Sequence, residues 1–287
     1  MSAKGRSVAA NEFAADALLL VGHGSTLNAE SAAPVYQHAD ALRRRGLFAQ
    51  VAEAFWKQEP SLRGVLRGIF AERVFVVPLF ISEGYFTEEV IPRELGFCGR
   101  EEKVSNRVQR RGRQTLHYCG PVGTHDSMTE VLLARAREVV EQHPCAPPPA
   151  PARTTLFIAG HGTSLNQRSR EAIERQVEII RARHLYAEVH ALFMEEEPRV
   201  ADCWKLAAAG DLVMVPFFIS DGLHSYEDIP VMLGESEALV RERLAAGQPT
   251  WPNPTVRHGK RLWYSASIGS EPHIADVILE RVRESIR

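Results

Sequence analysis

The sequence predicts an α/β protein of two similar lobes, each a four-stranded parallel sheet with helices on both faces. Three observations carry that expectation. Residues 18–96 lie on residues 156–234 without a gap, at a constant offset of 138 residues. Val21-Gly22-His23-Gly24-Ser25-Thr26-Leu27-Asn28 then meets Ala159-Gly160-His161-Gly162-Thr163-Ser164-Leu165-Asn166, and Pro78-Leu79-Phe80-Ile81-Ser82-Glu83-Gly84 meets Pro216-Phe217-Phe218-Ile219-Ser220-Asp221-Gly222. Short apolar runs alternate with stretches of helical periodicity through both copies, the pattern of right-handed βαβ units. Between the copies, Pro144-Cys145-Ala146-Pro147-Pro148-Pro149-Ala150-Pro151 sustains neither helix nor sheet and reads as a stiff extended spacer. The lobes are expected at 17–143 and 154–287, each burying its own core, with 144–153 as the linker.

In the first copy, residues 17–21 form an apolar run that stops at a Gly-His-Gly turn, and 32–45 carry apolar residues at helical spacing. Residues 50–56 alternate as a second strand, Glu59-Pro60 opens a helix near 61–70, and 74–80 is a continuous apolar run of the kind buried in parallel sheets. A short helical region at 88–95 is expected to be interrupted at Pro92, and the arginine-rich stretch 99–114 to be a solvated loop. A fourth strand at 116–119 and a helix at 126–143 close the lobe. The second copy repeats this order at 156–159, 169–183, 187–193, 198–208, 212–218, 228–233, 262–265 and 272–286. Its last strand and helix match the first copy at an offset of 146, so about eight extra residues lie between Gly234 and Leu262.

Composition narrows the function. In 287 residues, 34 basic side chains face 36 acidic ones, a formal charge of −2, so no global field points to nucleic acid or an anionic membrane. Four scattered cysteines form no Cys-x-x-Cys pair, which argues against a zinc or iron–sulfur site and suits a reducing compartment. Residues 1–16 lack the apolar core of a signal peptide, and no apolar run approaches the length of a membrane span. A soluble, cytoplasmic protein is expected.

Ligands of open parallel sheets bind beyond the carboxyl ends of the strands, where loops converge and helix N-termini point. His161 and His224 both follow such strands, and neighbouring strands would bring the two imidazoles to one mouth. Neutral imidazole is a good ligand for cobalt, nickel and ferrous iron. The first copy keeps His23 but has Phe86 where the second has His224. Glu195 ends the adjacent strand at the same sheet edge and replaces Lys57 of the first copy, which makes it the favoured third metal ligand. Glu197 reads as a helix-capping charge, and Glu196 stays open. The glycine-rich turn lacks the lysine of a P-loop, the spacing of a dinucleotide fingerprint and the apical serine of a nucleophile elbow. Ser164, Asn166 and Ser220 are either neutral donors to substrate carboxylates or turn formers and helix caps.

These residues resemble a known family. Gly160-His161-Gly162-Thr163, Val215-Pro216-Phe217-Phe218-Ile219-Ser220-Asp221-Gly222-Leu223-His224 and Asp228-Ile229-Pro230 are similar to the CbiX-type sirohydrochlorin chelatases, over nearly the whole chain. The resemblance implies ATP-independent insertion of a divalent ion into a tetrapyrrole, cobalt for cobalamin or iron for siroheme, in a cleft between two lobes. The ion is substrate; nickel also fits the donor set, and no organic cofactor is expected. By resemblance the histidine pair is His161 and His224, serving as ligand and as base for a pyrrole proton in turn. The first lobe, lacking the pair, is expected to form the opposite wall of the cleft, with Phe86, Tyr85 and Trp56 either offering aromatic surface to the macrocycle or packing in the core, while His23 either faces the substrate or caps its loop. One chain holds both lobes, so a monomer suffices for the cleft. A non-catalytic tetrapyrrole or metal carrier is the competing reading.

Overall fold

The computed structural model describes residues 12–26, 28–99, 103–162 and 167–287. The first half runs β1 (Ala17–Gly22), α1 (Ala33–Arg45), β2 (Gln50–Phe55), α2 (Leu62–Val65), β3 (Arg73–Pro78), α3 (Ile91–Glu94), β4 (Val108–Arg111), β5 (Gln114–Tyr118) and α4 (Met128–Gln142). The second runs β6 (Thr154–Gly160), α5 (Gln167–Ala182), β7 (Glu188–Phe193), α6 (Cys203–Leu206), β8 (Asp211–Pro216), α7 (Ile229–Met232), α8 (Glu237–Ala245), β9 (Thr255–Arg257), β10 (Lys260–Tyr264) and α9 (Ile274–Glu284). The sheets are ordered β2-β1-β3-β5-β4 and β7-β6-β8-β10-β9. Two lobes of mostly parallel sheet are as expected, but each sheet has five strands instead of four. The additions, β4 and β9, pair antiparallel with β5 and β10. β4 lies inside the stretch expected to be a loop, because Val108-Gln109-Arg110-Arg111 is an edge strand with little to bury.

Pro92 does not interrupt a helix. It sits in the first turn of α3, where the missing N–H costs nothing, as Pro230 does in α7. The turn before each is a π-helix, Phe86–Val90 in the first half and His224–Asp228 in the second. The additional residues of the second half form α8, capped by Ser236, whose hydroxyl accepts from the Leu239 amide at 3.3 Å.

Strand side chains alternate between two faces. Ala17, Leu19 and Val21 join Val74, Val76, Ile91 and Leu95 in an outer core, and Phe157 and Ala159 join Leu212, Met214, Ile229 and Leu233 in its counterpart. The inner faces share one core. Leu18, Leu20, Phe75 and Val77 of the first sheet belong to the same buried cluster as Leu156, Ile158, Val213 and Val215 of the second, together with α1, α4, α5 and α9. The last helices are exchanged: α4 packs on β8 and β10 of the second sheet, and α9 on β3 of the first. Trp263 Nε1 on β10 donates to the His143 carbonyl after α4 at 3.0 Å, and Arg281 Nε on α9 donates to the Pro121 carbonyl at 3.0 Å. The expectation that each lobe buries its own core is thereby corrected. Amphipathic periodicity shows that a helix has an apolar face but not which sheet receives it.

α9 buries Ile274, Val277, Ile278, Leu279 and Val282, side chains each worth roughly 1.5–3 kcal/mol when withdrawn from water. A fragment of residues 1–143 is therefore expected to associate, with α4 of each copy covering the other's sheet. Sedimentation equilibrium giving a folded monomer would contradict this.

His38 on α1 is 1% exposed and donates through Nε2 to the Gly269 carbonyl at 2.7 Å, across the two halves. Burial, aided by Arg135 and Arg45 and opposed by the bond to Gly269, lowers its pKa from the ordinary 6.5. Below pH 6.5 the unfolded chain takes up a proton that the folded chain refuses, so this residue's contribution falls as pH drops towards the folded value. At the equivalent position the second half carries Gln176, which donates to the His125 carbonyl at 3.0 Å. His38→Gln is expected to reduce the loss of stability between pH 7 and 5 in denaturant titrations. An unchanged pH slope would refute the assignment.

Candidate metal centre and interlobe cleft

His161 follows β6 directly, and the turn that bears it depends on glycine. A Cβ on Gly160 would lie 2.1 Å from Ile173 Cδ1 of α5, and one on Gly162, at φ +62°, would lie 2.6 Å from Phe193 Cβ. The parallel register pairs Gly160 with Phe193, and the Met194 and Glu195 amides both donate to the His161 carbonyl, at 3.0 and 3.1 Å. That stitching brings Glu195 Oε1 to 3.7 Å from His161 Nε2. From the other side, the Phe217 amide donates to the Ala159 carbonyl at 2.7 Å, tying the end of β8 to β6, and the chain then enters the π turn at His224. The two imidazoles stand edge to face, ring centroids 5.0 Å apart and planes at 81°. His224 Nδ1 lies 2.6 Å from Asp228 Oδ2.

The first half repeats the geometry with different chemistry. His23 and Phe86 stand at 4.7 Å and 81°, and the Lys57 amide donates to the His23 carbonyl at 2.9 Å, just as Glu195 does at His161. His23 Nδ1 lies 2.8 Å from its neighbour's carbonyl at Gly24. One edge-to-face pair thus offers two nitrogen ligands, and its copy offers one.

The three glutamates separate clearly. Glu195 reaches His161, whereas Glu196 is held by Arg170 at 2.9 Å and Glu197 by Arg199 Nε at 3.2 Å. The capping role expected of Glu197 belongs to Asp202, whose carboxylate accepts from the Arg199 amide at 3.0 Å. Among the described residues no group of three His, Cys, Asp or Glu side chains is already gathered around a common point for a metal. A 5.0 Å imidazole pair with a carboxylate 3.7 Å from one ring is therefore a loose donor set.

His23, Ser220 and His224 line one cavity of about 210 Å³ between the halves, with Gly22, Ile81 and Gly222. His23 thus lines this cavity while its Nδ1 contacts its own loop, so both geometric features expected of it are present. An adjoining cavity of about 490 Å³ is lined by Tyr85, Phe86, Glu88, Lys103 and Arg168. Tyr85 and Phe86 stand together on the wall of this second cavity. Trp56 instead packs against the outer core of the first sheet. Ser164 and Asn166 lie outside the described residues.

Charge around the cleft is asymmetric. Two residues after His224, burial first and then the carboxylates of Asp221 and Glu30 push the Tyr226 phenol up to about 12. At the equivalent place in the other half, Glu83 pairs with Arg168 of α5 at 2.6 Å. Acidic groups thus lie near the imidazole pair, while the wider cavity is lined by both signs, Lys103 and Arg168 with Glu88 and Glu89. The sequence reading missed Arg168, which stands where the first copy has Glu30; that reversal of charge between equivalent positions was the available signal. Asp228 stands in the Asp-Ile-Pro motif, where spacing along the chain assigns it no role.

A doubled parallel-sheet frame with paired imidazoles at the strand ends of one half, beside a cleft walled by the other, is the architecture of a chelatase-type protein. A family model described as CbiX matches residues 17–139 and again 155–285, so the chain belongs to the CbiX family. Over 279 residues it is 43% identical to a protein of Halobacterium salinarum named probable sirohydrochlorin cobaltochelatase, with 94% of this chain and 91% of that one covered. A sirohydrochlorin cobaltochelatase of Methanopyrus kandleri is 28% identical over 138 residues, 46% of this chain and 96% of its own length. Among solved structures, DR2241 from Deinococcus radiodurans, described as a multi-domain protein with structural similarity to chelatases and two additional novel domains, matches with a TM-score of 0.75 at 32% identity. The match covers 93% of this chain and 54% of that one, so this chain spans about half of DR2241. SirB from Bacillus subtilis with Fe3+ has the same fold, with a TM-score of 0.64 at 18% identity and 94% and 95% coverage.

Proposed function

We propose that this protein inserts a divalent metal ion, cobalt or iron, into sirohydrochlorin without ATP, in cytoplasmic cobalamin or siroheme biosynthesis. The observation that carries the reading is the imidazole pair at 5.0 Å in one half only, whose His224 lines a cavity shared with the other half. His161 and His224 hold the incoming ion, and Glu195 swings in from 3.7 Å as a third ligand. Few ligands and a half-exposed carboxylate favour release, which insertion needs as much as binding.

The macrocycle lies between the histidine pair and the wall made by Tyr85 and Phe86, whose rings meet at 5.6 Å. Its carboxylates are met by Arg168 and Lys103, and by the Ser220 hydroxyl; Ser164 and Asn166, soon after His161 in the sequence, are further candidate donors. Insertion replaces two pyrrole N–H protons by M²⁺: four ring nitrogens take the ion and two protons leave. An imidazole freed of metal is placed to accept one of them, and holding ring and ion together supplies the positioning part of the catalysis. Both walls come from one chain, so the unit of function is a monomer. Among the described residues, no helix is long and apolar enough to cross a membrane.

The test is anaerobic mixing of purified protein with sirohydrochlorin and Co²⁺ or Fe²⁺, followed by absorbance. Metalation faster than the protein-free reaction, with turnover beyond one equivalent, is expected. Tight binding of the macrocycle without turnover would replace this reading by that of a carrier.

A further inference from the structure

The two halves form an internal control for the second coordination shell. At the 138-residue offset, Ser220, Gly222, Ile229, Pro230, Leu233 and Gly234 keep their identities as Ser82, Gly84, Ile91, Pro92, Leu95 and Gly96, while His224 becomes Phe86 and Asp228 becomes Val90. Both halves fold the intervening five residues as a π-helix, His224–Asp228 and Phe86–Val90. The turn therefore requires neither the imidazole nor the carboxylate. Where the histidine is absent, so is the aspartate.

Stability does not explain Asp228 either. Its side chain is 42% exposed and that of His224 50%, and an ion pair at such a site contributes little to folding. What the contact does fix is the imidazole. An ionised carboxylate only accepts, so Nδ1 of His224 must be the donor across the 2.6 Å to Asp228 Oδ2. The neutral ring is then held as the Nδ1–H tautomer with its lone pair on Nε2. His161 has no carboxylate at this distance, its Nδ1 lying 3.4 Å from the Gly162 carbonyl.

We infer that Asp228 is a positioning residue, which locks His224 in the tautomer and ring orientation that present Nε2 to the metal. This rests on the chelatase reading given above and adds to it a residue that touches neither ion nor macrocycle. Carboxylates behind ligating histidines raise the basicity of the ligand and fix its direction, and their loss weakens metal binding by roughly 10–100-fold. The ligand pair is thereby unequal, with His224 the anchored member and His161 the freer one.

Two measurements on Asp228→Ala and Asp228→Asn test the inference. In the metal-free full chain, imidazole ¹⁵N shifts should show His224 as the Nδ1–H tautomer in the wild type. It should become a mixture in Asp228→Ala and be partly restored by asparagine, whose carbonyl still accepts. Co²⁺ titration in the absence of tetrapyrrole should give a dissociation constant about 10–100-fold weaker for Asp228→Ala, with Asp228→Asn between, while KM for sirohydrochlorin stays at the wild-type value. An unchanged His224 tautomer, or wild-type cobalt affinity in Asp228→Ala, overturns the inference. If the wild-type protein itself fails to bind Co²⁺, the chelatase reading is what fails, and the metal-free spectra still decide whether Asp228 sets the tautomer.

Discussion

His161→Ala and His224→Ala are each expected to lower cobalt insertion by at least about 100-fold, the scale on which removal of a positioned acid–base group is felt, whereas His23→Ala leaves Co²⁺ binding intact. The reasoning is geometric. Two rings at 5.0 Å offer two nitrogens to one ion, and deleting either leaves the single-nitrogen arrangement that the first half already displays with Phe86. His23 lines the cleft but has a hydrocarbon ring as its neighbour, so its effect should fall on the macrocycle's KM. Initial rates under anaerobic conditions, with cobalt affinity measured separately, distinguish these outcomes. Equal losses of cobalt affinity in His23→Ala and His224→Ala would contradict the asymmetry.

Gly269→Ala is expected to have the largest effect on folding among substitutions outside the site. Gly269 lies in the turn after β10, and a Cβ there would sit 1.6 Å from the Ile219 carbonyl oxygen and 2.3 Å from its carbon. The obstacle is backbone, which cannot rotate away, and the segment it belongs to carries Ser220 into the cleft. Gly123 has the same relation to Ile81 in the first half, 2.2 Å from its carbonyl oxygen. Overpacking of this kind costs about 3 kcal/mol, which for a chain of this size lowers Tm by roughly 6–12 °C. Activity should fall further than stability alone dictates, since the displaced loop leads to His224. Gly210→Ala, where a Cβ meets nothing within 4 Å, serves as the control. A Gly269→Ala protein that melts with the wild type would show that the loop yields freely.

Much of the frame was legible in the chain because parallel strands and their covering helices write strong patterns. The runs at 17–21 and 74–80, and their copies at 156–159 and 212–218, are continuous apolar stretches bounded by glycine and proline, and they became β1, β3, β6 and β8. β4 and β9 were missed because an edge strand such as Val108–Arg111 has no buried face to leave a period. α8 was missed for a similar reason, since Val240 is its one buried side chain. The exchange of α4 and α9 was beyond pattern reading: Val131, Leu132, Ala136 and Val139 specify an apolar stripe without naming the sheet that it covers.

The site was legible to the extent that strand ends fix it. His161, His224 and Glu195 lie at the carboxyl ends of β6, β8 and β7, and sheet order alone brings them together. Trp56 falls just past β2, where alternation no longer tells inside from outside, and it packs on the outer core. The Asp228 contact is an i,i+4 pair on one helical turn, a spacing that brings side chains together on any helix, although nothing in His224-Ser225-Tyr226-Glu227-Asp228 marks that turn as π.

Anomalous scattering at the cobalt edge, from crystals of the full chain grown with one equivalent of Co²⁺, tests the central claim most directly. The account predicts one strong peak, bonded to a nitrogen of His161 and a nitrogen of His224 at the mouth of the second sheet. Cobalt seated at His23, or held by side chains that include neither His161 nor His224, would contradict it.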